Sequence, residues 1–429
     1  MYFITFLNNR NYIIFLILIL GLSLLILTVS LFKGDSPDLI MSDGNGYYAW
    51  VRSLIIDGDL NFENDFKELY FPESPPPEIN ILTPKGLIPN KYPIGMAIVE
   101  TPGFLLGHFI AKVTHFADDG ISLPYQISVV LSLVLLVILS FYLFYLTLIK
   151  YGINTKIAIF FSATALVVTN IIHYIAKEPS MSHATGVALV NIILFLATLP
   201  SDIKQKHIFY YLGCGLLIGL LILVRNTNIV MLPLFFYLFW RKPSKPNQIA
   251  ILLGGMLLML FLQQLSLFYL WGHPTFNSYK GQGFTGGIAG LWSSLWGQGN
   301  GLFIYHPWYL ILVVINLCGL VWLNQDRLLH LMIIVSFGGL WFINGLWGFA
   351  GDSFGHRAFI DIVTVLSFGA ALGVASFPRN FYQSLRIPAL LLAIILMFAN
   401  IYLWGGYLLQ KYPQNPQRTA LQAYTWIIR

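Results

Sequence analysis

Charge is what this sequence has least of: 10% of its 429 residues are Asp, Glu, Lys or Arg, against roughly 25% in a soluble domain. So few ions cannot cover a water-facing surface of this length, and a soluble globular protein is excluded. Cysteine is almost missing as well. Cys214 and Cys318 both lie inside apolar runs, which excludes a disulfide framework and any Cys-based metal motif. Internal repeats are not visible, and low complexity is confined to Ser74-Pro75-Pro76-Pro77, a rigid extended turn. Acids number 18 against 24 Lys and Arg, for a net charge of +6. The cations do not cluster; they stand at the ends of apolar segments, so they describe membrane topology and no nucleic-acid surface.

Apolar residues make up 57% of the chain, with a mean hydropathy of +0.72. Runs near 20 residues predict an all-α integral membrane protein with eleven transmembrane helices at 12–32, 122–149, 157–175, 183–199, 208–224, 227–240, 249–271, 302–324, 330–347, 359–376 and 387–409. The first of these is longer than a signal peptide's apolar region, and Val29-Ser30-Leu31-Phe32-Lys33 offers no small-x-small cleavage pattern. It is expected to stay as the first span. A twelfth stretch, 94–114, carries Glu100, Pro102, His108 and Lys112 and reads as an interfacial helix. Residues 1–429 then form a single polytopic domain, with a first outer loop at 33–121 that carries interfacial helices and a Gly-rich outer loop at 272–301. No soluble domain is expected after 409.

With the N-terminus cytoplasmic, the inner connections hold Lys150, Lys156, Lys204, Lys206, Arg241, Lys242, Lys245, Arg327, Arg379 and Arg386 against only Asp202 and Asp326. That is the asymmetry the positive-inside rule requires. If 94–114 crossed the bilayer, these ten cations would face outward. The short outer connections carry isolated charges: Lys177, Glu178, Arg225, Lys280, Asp352 and Arg357. Ten of the eighteen acids lie between Asp35 and Glu78, in the first outer loop.

The densest stretch runs Ser42-Asp43-Gly44-Asn45-Gly46-Tyr47-Tyr48-Ala49-Trp50-Val51-Arg52. As a helix it places Asp43, Gly46, Tyr47, Trp50 and Leu54 on one face, a carboxylate beside two aromatics. A bland reading makes Ser42 or Asp43 an N-cap and Asp57-Gly58-Asp59 a turn. The turn suits Asp57 and Asp59; Asp43, with an aromatic platform behind it, is read as functional.

An acid shortly after the first span, in a long outer loop rich in aromatics, resembles the GT-C superfamily of membrane glycosyltransferases, which includes the protein mannosyltransferases and the aminoarabinose transferases. Asn90-Lys91-Tyr92-Pro93-Ile94-Gly95 is similar to the family's aromatic and proline-rich lead into an interfacial helix. Lys177-Glu178-Pro179-Ser180-Met181-Ser182-His183 falls where the family has its second outer acid. Leu223-Val224-Arg225-Asn226-Thr227-Asn228 resembles a recurrent arginine motif, and Phe354-Gly355-His356-Arg357 a late motif of bacterial members. The resemblance covers about residues 12–376. Asp43 is followed by Gly, so the paired-acid form of the motif is absent.

The resemblance implies transfer of a sugar from a polyprenyl-phosphate donor to an acceptor at the outer face of the cell membrane. Such chemistry needs a base for the acceptor hydroxyl and cations for the departing phosphate. Asp43 and Glu178 are the catalytic candidates, with Glu178 assisting or holding a divalent cation. Glu178 before Pro179 is also how a helix starts. Arg225 lies between spans of only 17 and 14 residues, roughly 26 and 21 Å long against a hydrocarbon core near 30 Å, so its turn is expected to be sunken. A phosphate is a natural partner for an arginine so placed. Arg357, Lys280 and His356 join it as phosphate candidates, although Asp361 stands four residues from Arg357 and offers it an ordinary ion pair. Tyr47, Trp50, Tyr92, His183 and His306 complete the expected substrate site. The Gly-rich loop around Lys280 has the composition of a lid. Rival readings are a polytopic transporter or lipid flippase, which more often shows matched halves, and a membrane acyl- or phosphotransferase using His183 with Glu178.

Overall fold

The structure is a computed structural model that describes residues 10–32, 39–71, 75–199, 208–240, 246–275, 278–279, 283–322, 326–348, 352–413 and 417–426. Among these residues the regular structure is helical throughout. The elements run α1 (Arg10–Phe32), α2 (Asp43–Arg52), α3 (Glu63–Leu69), α4 (Gly95–Thr114), α5 (Leu123–Lys150), α6 (Thr155–Val167), α7 (Ile171–Ala176), α8 (Ser182–Ala197) and α9 (Ile208–Val224). They continue with α10 (Leu232–Trp240), α11 (Pro246–Trp271), α12 (Gly287–Trp296), α13 (Leu302–Tyr305), α14 (Trp308–Trp322), α15 (Arg327–Trp347), α16 (Val363–Ala375), α17 (Arg379–Leu408) and α18 (Ala420–Tyr424).

Over the described residues, each of the eleven apolar segments contains helix. Seven described helices are long and apolar enough to cross a membrane: Arg10–Val29, α4, α5, α11, α15, Arg357–Ala375 and Asn380–Leu408. Shorter apolar helices stand at α6, α8, α9, Asn226–Trp240 and α14. Helix α4 is among the seven, with the lowest mean hydropathy of the set at 1.2.

Several expected segments are broken near one end, and each break has a chemical reason. The run 157–175 divides into α6 and α7 around Val168–Asn170. There the carbonyls of Val167 and Thr169 accept from the Asn400 side chain at 3.0 and 2.9 Å, which satisfies backbone that the helix has released. The run 302–324 divides at His306-Pro307, where proline removes a donor. The runs starting at Asn226 and Arg357 open with 3₁₀ turns, Asn226–Met231 and Arg357–Ile362. These irregular starts lie where polar side chains gather.

Helix α5 anchors that end of the bundle. Tyr48 donates to the carbonyl of Gly120 at 2.6 Å and Arg52 to that of Asp119 at 3.1 Å, which fixes α2 beside the turn that begins α5. Helix α4 packs along α5, with Gly103 against Val129 and Gly107 against Tyr125. At 1.5 Å per residue, the 28 residues of α5 put Lys150 about 42 Å away. The polar cluster and the basic connection after α5 therefore stand at opposite ends of the protein.

Candidate active site

Helix α2 supplies the first half of the site, and its two early glycines explain its position. A Cβ at Gly44 would run into Ser180, and one at Gly46 into the Tyr92 ring. Only glycine lets the helix start settle against both. Tyr92 then organises the face expected from the residue spacing. Its hydroxyl donates to Asp43 Oδ1 at 2.8 Å, its ring lies 4.7 Å from that of Tyr47, and its carbonyl accepts from Trp50 Nε1 at 2.9 Å. Asn90 holds this strand of chain from the other side, donating to the Gly46 carbonyl at 2.7 Å.

The expected face ends early. After Arg52 the helix widens into a π turn, Ser53–Asp57, and Leu54 swings out to 57% exposure. Trp50, expected to meet substrate, is instead fully buried behind Tyr92. The capping alternative for Asp43 does not describe it either. Ser42 takes a positive φ and makes no side-chain cap bond, and both Asp43 oxygens reach outward, one to Tyr92 and the other to Arg357 Nη2 at 2.9 Å.

Arg357 comes from the 3₁₀ turn before α16, 314 residues further along the chain. The side chains of Arg357 and Asp43 keep 21% and 33% of their surface exposed, so the pair is reachable. Glu178, from the turn between α7 and α8, is close enough to Arg357 for each to feel the other's charge. Burial alone would raise the Glu178 carboxyl, but His173, Arg357 and Lys177 outweigh it and hold the group below the usual glutamate range. Glu178 is thus an anion near two cations, Arg357 and Lys177, with the His173 ring beside it. Trp404 Nε1 donates to His173 Nδ1 at 2.9 Å, which leaves the neutral ring's proton on Nε2, 3.5 Å from Glu178 Oε1. These surroundings suit a fixed anion and do not fit a metal at Glu178. Among the described residues no three His, Cys, Asp or Glu side chains converge as a metal site.

Arg225 and Arg357 exchange the partners that the sequence suggests. Asp361 pairs with Arg225, not with Arg357, and the Arg225 guanidinium also donates to the Ala358 carbonyl at 3.3 Å. Asp361 is wholly buried, seated on Gly186 of α8 and within 3.5 Å of Asn228 Nδ2. Arg225 thus holds a carboxylate of the protein itself and is the less exposed of the two arginines, at 12% against 21% for Arg357.

The histidines divide. His356 is buried, and burial followed by the nearby Arg225 and Arg357 charges pushes it down to about 4, so it is neutral at physiological pH. His183 is buried beside the two arginines with Nδ1 unpartnered. His306 is 1% exposed, lies against Phe354, and has neither ring nitrogen bonded; it stands behind the cluster, not in it. Burial and the Asp43 carboxylate push the Tyr47 phenol up to about 12, and the hydroxyl shares a hydrogen with Ser182 at 3.2 Å. Lys280 lies outside the described residues. Its neighbours Ser278 and Tyr279 do reach the site: Ser278 donates to the Lys91 carbonyl at 2.6 Å, and Tyr279 meets the Tyr92 ring edge-on.

Two further residues take part, Asp361, which the sequence offers only as a partner for Arg357, and His173, which it passes over. Asp361 had a signal, as the one acid within the apolar run 359–376. His173 had none, since it lies within an apolar segment.

No protein-family model matches the chain, and no curated protein does. Among solved structures it is similar to ArnT from Cupriavidus metallidurans in the apo state, with a TM-score of 0.49 and 12% identity over 87% of this chain and 62% of that one. It is also similar to the same organism's ArnT bound to undecaprenyl phosphate, with a TM-score of 0.47 and 13% identity over 96% of this chain and 70% of that one. The Archaeoglobus fulgidus oligosaccharyltransferase in the apo form gives a TM-score of 0.47 and 12% identity over 98% of this chain and 56% of that one. The chain thus spans less than two thirds of the apo ArnT chain.

Proposed function

We propose that this protein is a membrane glycosyltransferase that moves a sugar from a polyprenyl-phosphate donor to an acceptor at the outer face of the cell membrane. The observation that carries the reading is the reachable contact between Asp43 and Arg357. One is a carboxylate able to accept a hydroxyl proton; the other is a guanidinium able to receive a phosphate. Asp43 takes the acceptor's proton as its oxygen attacks the anomeric carbon. The bond from that carbon to the phosphate oxygen breaks, and its electron pair leaves with the polyprenyl phosphate, onto Arg357. Attack opposite the leaving group inverts the anomeric centre. Asp43 engages one guanidinium nitrogen, and an arginine has five N–H donors with which to hold a phosphate as well.

Glu178 adds a second negative charge near Arg357, and His173 stands 3.5 Å from Glu178. The Arg225–Asp361 pair ties the Asn226 turn to the Arg357 turn beneath them. Helix α4, with buried Glu100 and terminal Lys112, lies at the interface in this reading, which leaves Lys150 and Lys156 on the cytoplasmic side.

Radiolabelled polyprenyl-phosphate sugars offered to the purified protein in liposomes test the reaction. Release of polyprenyl phosphate with labelled acceptor supports it; movement of lipid across the bilayer without bond cleavage would favour a flippase. Cysteine labelling from outside intact cells tests the orientation, with Glu63→Cys expected to react and Lys156→Cys to stay protected.

A further inference from the structure

The chain does not leave the site after its last long helix. Beyond α17 it turns back, and Arg418 becomes one of the most buried cations, with 1% of its side chain exposed. Its guanidinium meets Asp352 Oδ1 at 2.5 Å, donates to the Ser353 carbonyl at 3.3 Å and to the Pro413 carbonyl at 3.0 Å, and stacks over Tyr407 and Tyr412. Ser353 continues the chain of contacts. Its hydroxyl accepts from Asn300 Nδ2 at 2.9 Å and donates to the Gly355 carbonyl at 2.9 Å. Gly355 itself turns with φ +66°, and Arg357 follows two residues later. The returning segment is fastened at further points: Thr419 and Gln422 form a capping box, Tyr424 donates to the Ile304 carbonyl at 2.7 Å, and Trp426 to that of Tyr402 at 3.2 Å.

We infer that Arg418 is a positioning residue: the returning C-terminal segment latches the loop 352–356 through Asp352 and Ser353, and so sets where Arg357 stands relative to Asp43. A guanidinium suits this place because its three nitrogens each reach a separate acceptor, Asp352, Ser353 and Pro413, whereas a lysine has its donors on a single nitrogen. The inference rests on the reading of Arg357 as the phosphate-binding group. Arg418 touches no reacting atom. Its loss should move donor affinity and spare the chemical step once donor is bound.

The test uses the full chain in nanodiscs, with Arg418→Ala, Asp352→Asn and, as reference, Arg357→Ala. Hydrogen exchange over 352–357 reads the loop, undecaprenyl phosphate binding reads the cation, and the donor KM and kcat are measured separately. The latch predicts faster exchange in this loop, binding weakened about tenfold, the shift equivalent to about 1.4 kcal/mol, and a raised donor KM with kcat retained. Unchanged exchange overturns the latch. Faster exchange with unchanged affinity overturns its role in placing Arg357. If Arg418→Ala does not fold, Asp352→Asn decides, since it removes one charge and leaves the two carbonyl bonds. If the unsubstituted protein binds no polyprenyl phosphate, the phosphate reading has failed by itself, and the exchange data still judge the latch.

Discussion

The two ends of α2 carry opposite charges and are built in opposite ways. At its start, one carboxylate, Asp43, is met by groups from distant parts of the chain, Tyr92 and Arg357, and the pair stays partly exposed. At its end, one guanidinium, Arg52, is met by three carboxylates from the next sixteen residues: Asp57 and Asp65 at 2.9 Å and Glu68 at 2.7 Å. Arg52 and Asp65 are nearly or wholly buried. A local, buried and over-matched cluster folds a loop. A long-range, partly exposed and evenly matched pair can be opened by a ligand that competes for one member. Charge alone does not separate these two clusters; sequence distance and exposure do.

The comparison breaks if the two ends respond alike to loss of charge. Asp43→Asn keeps the volume and can still accept from Tyr92, so folding should be normal while transfer falls by roughly the 10²–10⁴-fold that a positioned general base supplies, measured with a defined donor. Arg52→Ala should do the reverse. It leaves Asp65 buried without its cation, which costs about 3–5 kcal/mol in unfolding free energy, read by denaturation in detergent, and protein that remains folded should still transfer.

Asp65 sharpens the contrast through pH. Burial raises its carboxyl to about 7 against the opposing pull of Arg52, with Asp57 and Asp59 adding to the rise. The folded state therefore holds this proton more tightly than the unfolded chain, whose value is the ordinary 3.8. The resulting stability is fully present below about pH 4 and is lost as the pH climbs to about 7. Relative to Asp65→Asn, the native protein should lose melting temperature across that window, and parallel curves would refute the shift. The smallest effect is expected for Asp57→Asn. Asp57 accepts from Arg52 and Asn64 at the loop surface, so transfer in the same donor assay should stay within about twofold of native, in keeping with surface substitutions of about 0.5 kcal/mol.

Hydropathy made the helices legible, because a segment that must shed water announces itself over twenty residues. It could not show where those helices break, since the break at Val168–Asn170 depends on Asn400, 231 positions beyond Thr169. Spacing placed Asp43, Tyr47 and Trp50 on one face, and Tyr92 does touch all three. The same spacing misjudged Leu54, because a π turn changes the phase of the helix. The choice of partners was out of reach. Asp361 is four residues from Arg357 but takes Arg225, and only the packing of α8 against that turn, with Gly186 under the carboxylate, decides between them.

The bond between Arg418 and Asp352 also sets an order of events during synthesis. The loop bearing Arg357 leaves the ribosome well before its fastening does, because all of α17 is made in between. Until that helix has been laid into the membrane and the segment behind it has folded back, Arg357 lacks one of its supports. A nascent chain that already contains Asp43, Glu178 and Arg357 therefore carries the parts of the candidate site without their final arrangement, which waits until the segment beyond α17 has been made.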